Sequence, residues 1–203
     1  MTDGRFFSAK TTVFETPWFD LEEVRVTTRS EKQSRLKDER PYYRVVEPPG
    51  VICVLLSPDG EFIMVRQPRP AIGCYTYEFP AGGIDENEMP QEAARREVLE
   101  EVGVELSSLH LIGTTQPLPN RIDSFQSLFL GISKTIPEQT ESENDMNVVV
   151  VPRHLFLAKM TGDGMHCAVA LGGIKLAELL YSFDLFKDPI NTIIETLEFG
   201  YKK

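Results

Sequence analysis

The chain has 203 residues, of which 41% are hydrophobic and 26% charged, a composition typical of globular proteins and unlike that of disordered or fibrous chains. Its length suffices for one domain with a hydrophobic core and a small extension. The formal net charge of −10 disfavours nucleic acid as a partner, because long-range repulsion opposes the binding of a polyanion.

The N-terminal part of the chain predicts a small antiparallel sheet. It contains alternating stretches such as Glu23-Val24-Arg25-Val26, and the highly charged stretch 30–40 is typical of a hairpin loop. Pro48-Pro49-Gly50 then interrupts the chain. We therefore expect an N-terminal β extension at residues 1–42 and a main domain at residues 43–203.

The main domain alternates predicted strands with two predicted helices. Residues 51–56 form a dense apolar run that suits a strand buried on both faces. A helix is predicted from Pro90 to Val102, because proline is favoured at the first helical position and Gly103 at a left-handed C-terminal cap. Further strands are predicted at 62–65, 75–79, 109–114, 127–132 and 148–151, and a second helix at 165–181. This mixture favours an α/β layered fold.

Three glutamates project from one face of the first predicted helix. At 100° per residue, Glu97, Glu100 and Glu101 fall within an arc of about 100°. The residues expected to point away from this arc, toward the core, are Ala94, Val98, Leu99 and Val102. Crowded carboxylates repel one another, so such a face is either solvated or neutralised by cations. Hard oxygen ligands favour Mg²⁺, with Mn²⁺ as a possible substitute.

A longer motif surrounds these glutamates and decides between the two interpretations. Gly82, five residues, Glu88, seven residues and then Arg96 to Val104 reproduce the pattern GX5EX7REUXEEXGU, in which U is a bulky aliphatic residue. A chance match in a chain of average composition is on the order of one in ten million. This motif segment, residues 82–104, resembles the Nudix box, and the chain resembles the Nudix hydrolases.

The resemblance implies a fold, a cofactor and a set of site residues. The fold is an α/β/α sandwich with a mixed sheet, to which the small N-terminal antiparallel extension is added. The metal ligands implied are the carbonyl of Ala81 and the carboxylates of Glu97, Glu100 and Glu101, with Mg²⁺ as cofactor. The other box positions are Gly82, Glu88, Arg96 and Gly103, of which Arg96 orients a carboxylate and Glu88 supports the loop.

Two segments outside the motif resemble one branch of the family. Residues 65–69 and 77–85 are similar to the ADP-ribose pyrophosphatases and nucleoside diphosphate sugar hydrolases, and Pro119 stands where that branch has a proline. The function implied is Mg²⁺-dependent hydrolysis of the pyrophosphate bond of ADP-ribose or a related nucleoside diphosphate sugar, giving a nucleoside monophosphate and a sugar phosphate. The alternatives are a nucleoside triphosphate, a dinucleoside polyphosphate or coenzyme A as substrate, or a non-catalytic nucleotide-sensing module.

The same branch suggests which residues contact the substrate. Candidates for the phosphates are Arg44, Arg66 and Arg69, the candidate for the sugar is Glu78, and the candidates for stacking on the base are Trp18, Phe19 and Tyr43. Each of them has an alternative as an ordinary surface, sheet-edge or core residue.

The resemblance also implies a general base in an acidic loop late in the domain, and residues 141–145 stand in that place. Within it Glu143 is preferred over Glu141, and Asp123 is a reserve candidate. As catalytic residues we therefore predict Glu143, Glu100 and Arg96.

The remaining expectations concern partners and location. The branch implies a homodimer formed through the N-terminal segment. Cys53, Cys74 and Cys167 lack the CxxC pairs of zinc or redox sites, and no apolar stretch has the length of a signal peptide or membrane span. We therefore expect a cytoplasmic protein with no membrane partner.

Overall fold

The computed structural model describes residues 7–26, 41–138, 146–163 and 167–200. These residues form eleven strands and four α-helices. The strands are β1 (Phe7–Glu15), β2 (Asp20–Val26), β3 (Tyr42–Val46), β4 (Gly50–Leu56), β5 (Phe62–Arg69), β6 (Cys74–Glu78), β7 (Ala81–Gly83), β8 (Leu106–Thr115), β9 (Ile122–Asp123), β10 (Gln126–Ser133) and β11 (Asn147–Val151). The helices are α1 (Pro90–Val102), α2 (Phe156–Asp163), α3 (Ala168–Tyr181) and α4 (Ile190–Phe199), with a short 3-10 helix at Arg153–Leu155.

The chain divides into two compact units. The first consists of Met1–Pro49 and Gln116–Phe125, and the second of Gly50–Thr115 and Gln126–Lys203. Strands β1, β2, β3 and β9 belong to the first unit, and all other elements belong to the second. The boundary expected at residue 42 and the dimer interface expected of the N-terminal extension stay predictions.

The first unit is built on a four-stranded sheet in the order β1-β2-β3-β9. Strands β1, β2 and β3 are antiparallel, whereas the two-residue strand β9 runs parallel to β3. The register pairs Glu22 with Arg44 and Val46 with Asp123. Three charged side chains from distant parts of the chain are thereby brought to neighbouring positions.

The second unit is built on a mixed, seven-stranded sheet. Its main path is β11-β5-β4-β10-β8, while β6 pairs with β5 and β7 pairs with β4. Strands β4 and β10 are parallel, and the other neighbours are antiparallel. Strand β4 is buried along its whole length, which confirms the prediction from its apolar run.

Helices cover both faces of this sheet. Along β4, side chains alternate between two buried clusters, so that Val51 and Cys53 join one and Ile52 and Val54 join the other. The first cluster includes the buried face of α1, and the second includes α2, α3 and α4. The expected α/β/α arrangement is confirmed.

Two of the helices were not predicted from the sequence. Helix α2 has only eight residues, and α4 contains several β-branched residues whose intrinsic preference is for strands. Both are stabilised by burying one face, as Phe156 and Ile193 do, each with no exposed surface. Among the described helices, none combines the length and apolarity needed to cross a membrane.

Candidate active site

The backbone of strand β7 lies close to the acidic face of helix α1, where the candidate site is located. Strand β7 pairs with the start of β4, which places Gly82 opposite Val51. A Cβ atom added at Gly82 would collide with the carboxylate of Glu97. Only glycine fits there, because the carboxylate of Glu97 lies directly against the backbone.

Helix α1 carries the acidic side chains, and its limits agree with the prediction. The backbone amide of Met89 donates to the carboxylate of Glu92 at 3.0 Å, and Pro90 occupies the first turn. Gly103 ends the helix with a left-handed φ of 75°. The opposite face of the helix is buried through Ala93, Ala94, Val98 and Val102. Leu99, which was expected on this core face, is instead 53% exposed, because the buried stripe follows the i,i+4 spacing of Ala94, Val98 and Val102.

Glu101 lies next to Glu97 in a partly buried position. The amide of Ala81 donates to Oε2 of Glu101 at 3.1 Å. Burial raises the pKa of Glu101 to about 7; the Ala81 hydrogen bond opposes this shift, and repulsion from Glu97 adds to it. The position therefore favours added positive charge, either a proton or a cation.

Arg96 joins the loop of the motif segment to the helix. Its guanidinium donates two hydrogen bonds of 2.9 Å to Glu88, one of 2.8 Å to the carbonyl of Gly83, one of 2.7 Å to Glu97 and one of 3.2 Å to Glu100. The hydrogen bonds from Arg96 lower the pKa of Glu88 to about 2. The charge of Arg96 is thus balanced by carboxylates that neighbour the site.

Of the three carboxylates predicted as metal ligands, two lie close together and the third does not. Within the described residues, no three His, Cys, Asp or Glu side chains converge closely enough to hold a metal ion. Glu97 and Glu101 approach each other, whereas the side chain of Glu100 is 58% exposed and contacts Arg96. Mg²⁺ typically keeps several waters and binds through one or two carboxylates. Two carboxylates beside a strand backbone fit that requirement.

A second charged group stands near Glu101. Nε of Arg69 donates to Oε1 of Glu78 at 2.7 Å, and Nη2 of Arg69 donates to Oε2. The hydroxyl of Thr76 donates to Oε1 of Glu78 at 2.5 Å. Burial opposes ionisation of Glu78, but hydrogen bonds from Arg69 and Thr76 outweigh it and lower its pKa. The pKa of Arg69 is raised mainly by Glu78, with a smaller contribution from Glu101.

Thr76 was missed by the sequence interpretation. Its one detectable signal is strand alternation, which puts residues 76 and 78 on the same face of β6. A threonine in a strand has many ordinary explanations, so this signal does not single it out.

Arg66 is not part of this charged group. It lies three residues before Arg69 on β5, so the two side chains point to opposite faces of the strand. Its guanidinium carbon lies 3.9 Å from the ring centroid of Tyr75. Three arginines were predicted to contact phosphates, and the structure separates this one from Arg69.

Arg44 lies in the first unit, where two carboxylates surround it. Its Nε and Nη2 donate to Glu22 at 2.8 and 2.7 Å, and its Nη1 donates to Asp123 at 2.5 Å. Only 8% of the residue is exposed. Arg44, predicted to contact a phosphate, and Asp123, the reserve candidate for the general base, are therefore hydrogen-bonded to each other.

The predicted base-stacking residues also lie in the first unit. Trp18, Phe19 and Tyr43 are all exposed, Trp18 most of all at 76%, and the hydroxyl of Tyr43 donates to Glu23 at 3.0 Å. A cavity of about 380 Å³ is lined by Leu21, Pro41, Tyr42, Tyr43, Arg44, Val45 and Arg121. Tyr43 lines this cavity, while Trp18 and Phe19 do not. Glu141 and Glu143, the acidic-loop candidates for the general base, lie outside the described residues.

Comparison with known proteins finds one family across most of the second unit. A family model described as the NUDIX domain matches residues 46–165. An RNA pyrophosphohydrolase of Caulobacter vibrioides (strain NA1000 / CB15N) is 46% identical over 68 residues, which cover 34% of this chain and 38% of that protein. An ADP-ribose pyrophosphatase of Bacillus subtilis (strain 168) is 30% identical over 108 residues, which cover 53% and 58%.

Solved structures agree on the fold. The crystal structure of an ADP compounds hydrolase superposes with a TM-score of 0.66 at 20% identity, covering 85% of this chain and 93% of that one. This similarity supports the architecture alone. The sequence matches span about two fifths and three fifths of the lengths of the two curated relatives.

Proposed function

The chain belongs to the NUDIX domain family, and from this premise we propose that it is a pyrophosphohydrolase acting on ADP-ribose or a related nucleoside diphosphate sugar. The products are a nucleoside monophosphate and a sugar phosphate. One observation carries the proposal: Glu97 and Glu101 meet beside the backbone of Ala81 and Gly82. The similarity to the Bacillus subtilis ADP-ribose pyrophosphatase, which extends over 108 residues, supports the choice of substrate.

Members of this family generally use a divalent metal ion, and we propose Mg²⁺ for this chain. Glu97, Glu101 and the carbonyl of Ala81 would hold it, and Glu100 joins them if its side chain turns away from Arg96. When bound, such a cation neutralises phosphate charge and lowers the pKa of the attacking water.

The protein's own residues supply positioning and charge. Arg96 fixes the loop of the motif segment against α1 and holds Glu97 in place. Arg69 is the candidate for a substrate phosphate, because Nη1 of Arg69 forms no hydrogen bond with any described residue. Both carboxylate oxygens of Glu78 already accept hydrogen bonds, so we assign Glu78 to the support of Arg69 and not to sugar binding.

Other candidate residues receive weaker support. Arg44 is committed to two carboxylates, so its proposed role is to stabilise the first unit. Asp123 is a poor base for the same reason, and Glu143 stays the preferred prediction. Arg66 is a second candidate for an anion contact, on the other face of β5.

A second candidate is hydrolysis of an RNA 5′-pyrophosphate. The specific observation in its favour is the 46% identity to the Caulobacter RNA pyrophosphohydrolase over 68 residues. The net charge of −10 argues against it, since an RNA chain meets stronger repulsion than a small nucleotide does.

The proposed assembly is a homodimer formed through the first unit. Strand β1 is an edge of its sheet, and the exposed Val13 and Phe14 lie on it. Unpaired strand edges with apolar side chains readily pair with a second chain. Light scattering of the full chain should give twice the monomer mass, and a monomer at micromolar concentration contradicts this arrangement.

The expected location is the cytoplasm. None of Cys53, Cys74 and Cys167 is in a disulfide bond, a state that is typical of a reducing compartment. Cells are lysed directly into denaturant and an alkylating reagent, which exposes the buried Cys53 as well. Mass spectrometry should then find all three thiols modified without prior reduction.

The substrate is tested with a panel of compounds. Purified protein and Mg²⁺ are incubated with ADP-ribose, ADP-glucose, GDP-mannose, dGTP, a diadenosine polyphosphate, coenzyme A and a 5′-triphosphorylated RNA, and products are separated by chromatography. Release of AMP from ADP-ribose or ADP-glucose in preference to the others supports the proposal. Preference for RNA establishes the second candidate, and preference for dGTP, dinucleotide or coenzyme A overturns the substrate assignment. No turnover of any compound points to the non-catalytic alternative.

A further inference from the structure

Among the described residues, five buried residues are polar or charged, and two of them, Arg44 and Thr76, bind carboxylates. The five are Arg44, Ser57, Thr76, Ser124 and Ser133. The three serine hydroxyls bond to backbone groups, which is the usual role of such residues in turns. Thr76, only 1% exposed, instead donates its hydroxyl to the carboxylate of Glu78.

The pairing of two strands places this hydroxyl beside a charged pair. The β5–β6 register sets Gln67 opposite Thr76 and Arg69 opposite Cys74. Because side chains alternate along strands, Thr76, Glu78 and Arg69 share one face of the hairpin. The carboxylate of Glu78 is held from two sides, by the Arg69 guanidinium and by the Thr76 hydroxyl.

This arrangement fixes the guanidinium of Arg69 while leaving part of it available. Two of its nitrogens, Nε and Nη2, are engaged by Glu78. Nη1 forms no hydrogen bond with any described residue, and the Arg69 side chain is 44% exposed whereas that of Glu78 is 15% exposed. Arg69 also interacts electrostatically with Glu101, so this arginine lies in the neighbourhood of the acidic site.

We propose that Thr76 is a positioning residue of the substrate site: its hydroxyl sets the carboxylate of Glu78, which in turn sets the Arg69 guanidinium that receives a substrate phosphate. The inference rests on the proposed function and deepens it. A planar guanidinium recognises phosphate through pre-oriented donors, so the loss of its anchor weakens binding even when the charge remains.

The first experiment compares Thr76→Val with Thr76→Ser, using ADP-ribose as the probe in the presence of Mg²⁺. Valine keeps the shape of threonine and removes the donor, while serine keeps the donor. We expect Thr76→Val to raise KM about tenfold, which corresponds to about 1.4 kcal/mol, with kcat changed less than about twofold, as for loss of uniform binding. Thr76→Ser should restore KM to near the wild-type value. An unchanged KM in a folded Thr76→Val protein overturns the proposal.

A double substitution tests whether Thr76 acts through Arg69. Arg69→Gln alone should raise KM, and adding Thr76→Val should raise it no further, because the guanidinium to be positioned is already gone. Independent effects that multiply mean that Thr76 does not act through Arg69, and they overturn the proposal.

A readout without turnover separates this inference from the proposed function. In proton–nitrogen NMR spectra, the Nε–H signal of Arg69, identified by its loss in Arg69→Lys, should exchange slowly with water in the wild type and at least about tenfold faster in Thr76→Val. Serine at this position should keep the slow exchange. If the wild type hydrolyses no compound of the panel but Nε–H exchange accelerates in Thr76→Val, the proposed function is wrong and the positioning role of Thr76 stands. If the exchange rate is unchanged in Thr76→Val, the positioning role is overturned. If Thr76→Val does not fold, Thr76→Ala is compared with Thr76→Ser by the same measurements and the same criteria.

Discussion

Two arginines organise acidic side chains in the two units, and they do so over very different sequence distances. The hydrogen-bond partners of Arg96 lie 1 to 13 residues away from it, within the motif segment. Those of Arg44 lie 22 and 79 residues away, on other strands. The first group can be recognised from spacing, whereas the second exists only after the sheet of the first unit has formed.

The arginine of the motif segment is more exposed than the arginine of the first unit, as their proposed roles require. The side chain of Arg96 is 28% exposed and its network borders the acidic site, whereas that of Arg44 is 10% exposed. A buried ion pair that loses one partner leaves an uncompensated charge, so such a group is sensitive to substitution. The comparison therefore separates a network that serves proposed chemistry from one that serves stability.

The largest expected effect is a loss of activity without a loss of fold in the motif segment. Glu101→Gln should reduce turnover of ADP-ribose about a thousandfold, equivalent to about 4 kcal/mol of transition-state stabilisation. Its melting temperature should be unchanged or higher, because burial and the nearby Glu97 disfavour the charged form of Glu101. The matched control is Glu105→Gln, which removes an exposed partner of Lys134 and should keep full activity. Retained turnover in Glu101→Gln contradicts the assignment.

The opposite result is expected in the first unit. Arg44→Met leaves Glu22 and Asp123 without a cation and should lower the free energy of unfolding by about 3 kcal/mol, as for breaking a buried ion pair. Urea denaturation measures this loss. Arg95→Met, at an exposed position on α1, should change the free energy by less than about 0.5 kcal/mol. Equal effects for the two substitutions contradict a structural role for Arg44.

A smaller effect is expected in the pH dependence of the free energy of unfolding, through Glu88 of the motif segment. The pKa of Glu88 is about 2, below its ordinary 4.5, because of hydrogen bonds from Arg96. A lowered carboxyl pKa contributes stability that is fully present above pH 4.5 and is lost as the pH falls toward 2. Glu88→Gln should therefore flatten the loss of unfolding free energy over that interval, measured by urea titrations. Glu86→Gln, at an exposed position nearby, is the control and should follow the wild-type curve.

The smallest effect concerns the end of α1. Gly103 has a φ of 75° and open space where a Cβ would lie, so Gly103→Ala costs backbone strain alone, about 1 kcal/mol. Gly172→Ala, within helix α3, should instead stabilise the protein by about 0.5 to 1 kcal/mol. Thermal melts of the two variants should shift in opposite directions. A shift in the same direction means that the left-handed cap is not what makes Gly103 necessary.

Local patterns were enough to predict a large part of the second unit. The limits of α1, the buried strand β4 and the face shared by Glu97 and Glu101 all follow from periodicity, capping residues and motif spacing. These features depend on interactions between residues that are close in the sequence. They can therefore be predicted from local sequence patterns. The same is true of the contact between Arg96 and Glu100, which the i,i+4 spacing on the helix implies.

Other features were decided only by the tertiary structure. The pairing of β9 with β3 joins Asp123 to Arg44 and turns a predicted phosphate contact into a buried ion pair. Strand register and burial, not the presence of a threonine, bring Thr76 to Glu78 and select it from the other polar residues of the chain. Burial, strand register and long-range pairing are properties of the whole packed sheet. The contact between Arg44 and Asp123, which are 79 residues apart, therefore could not be predicted from any repeat or spacing in the sequence.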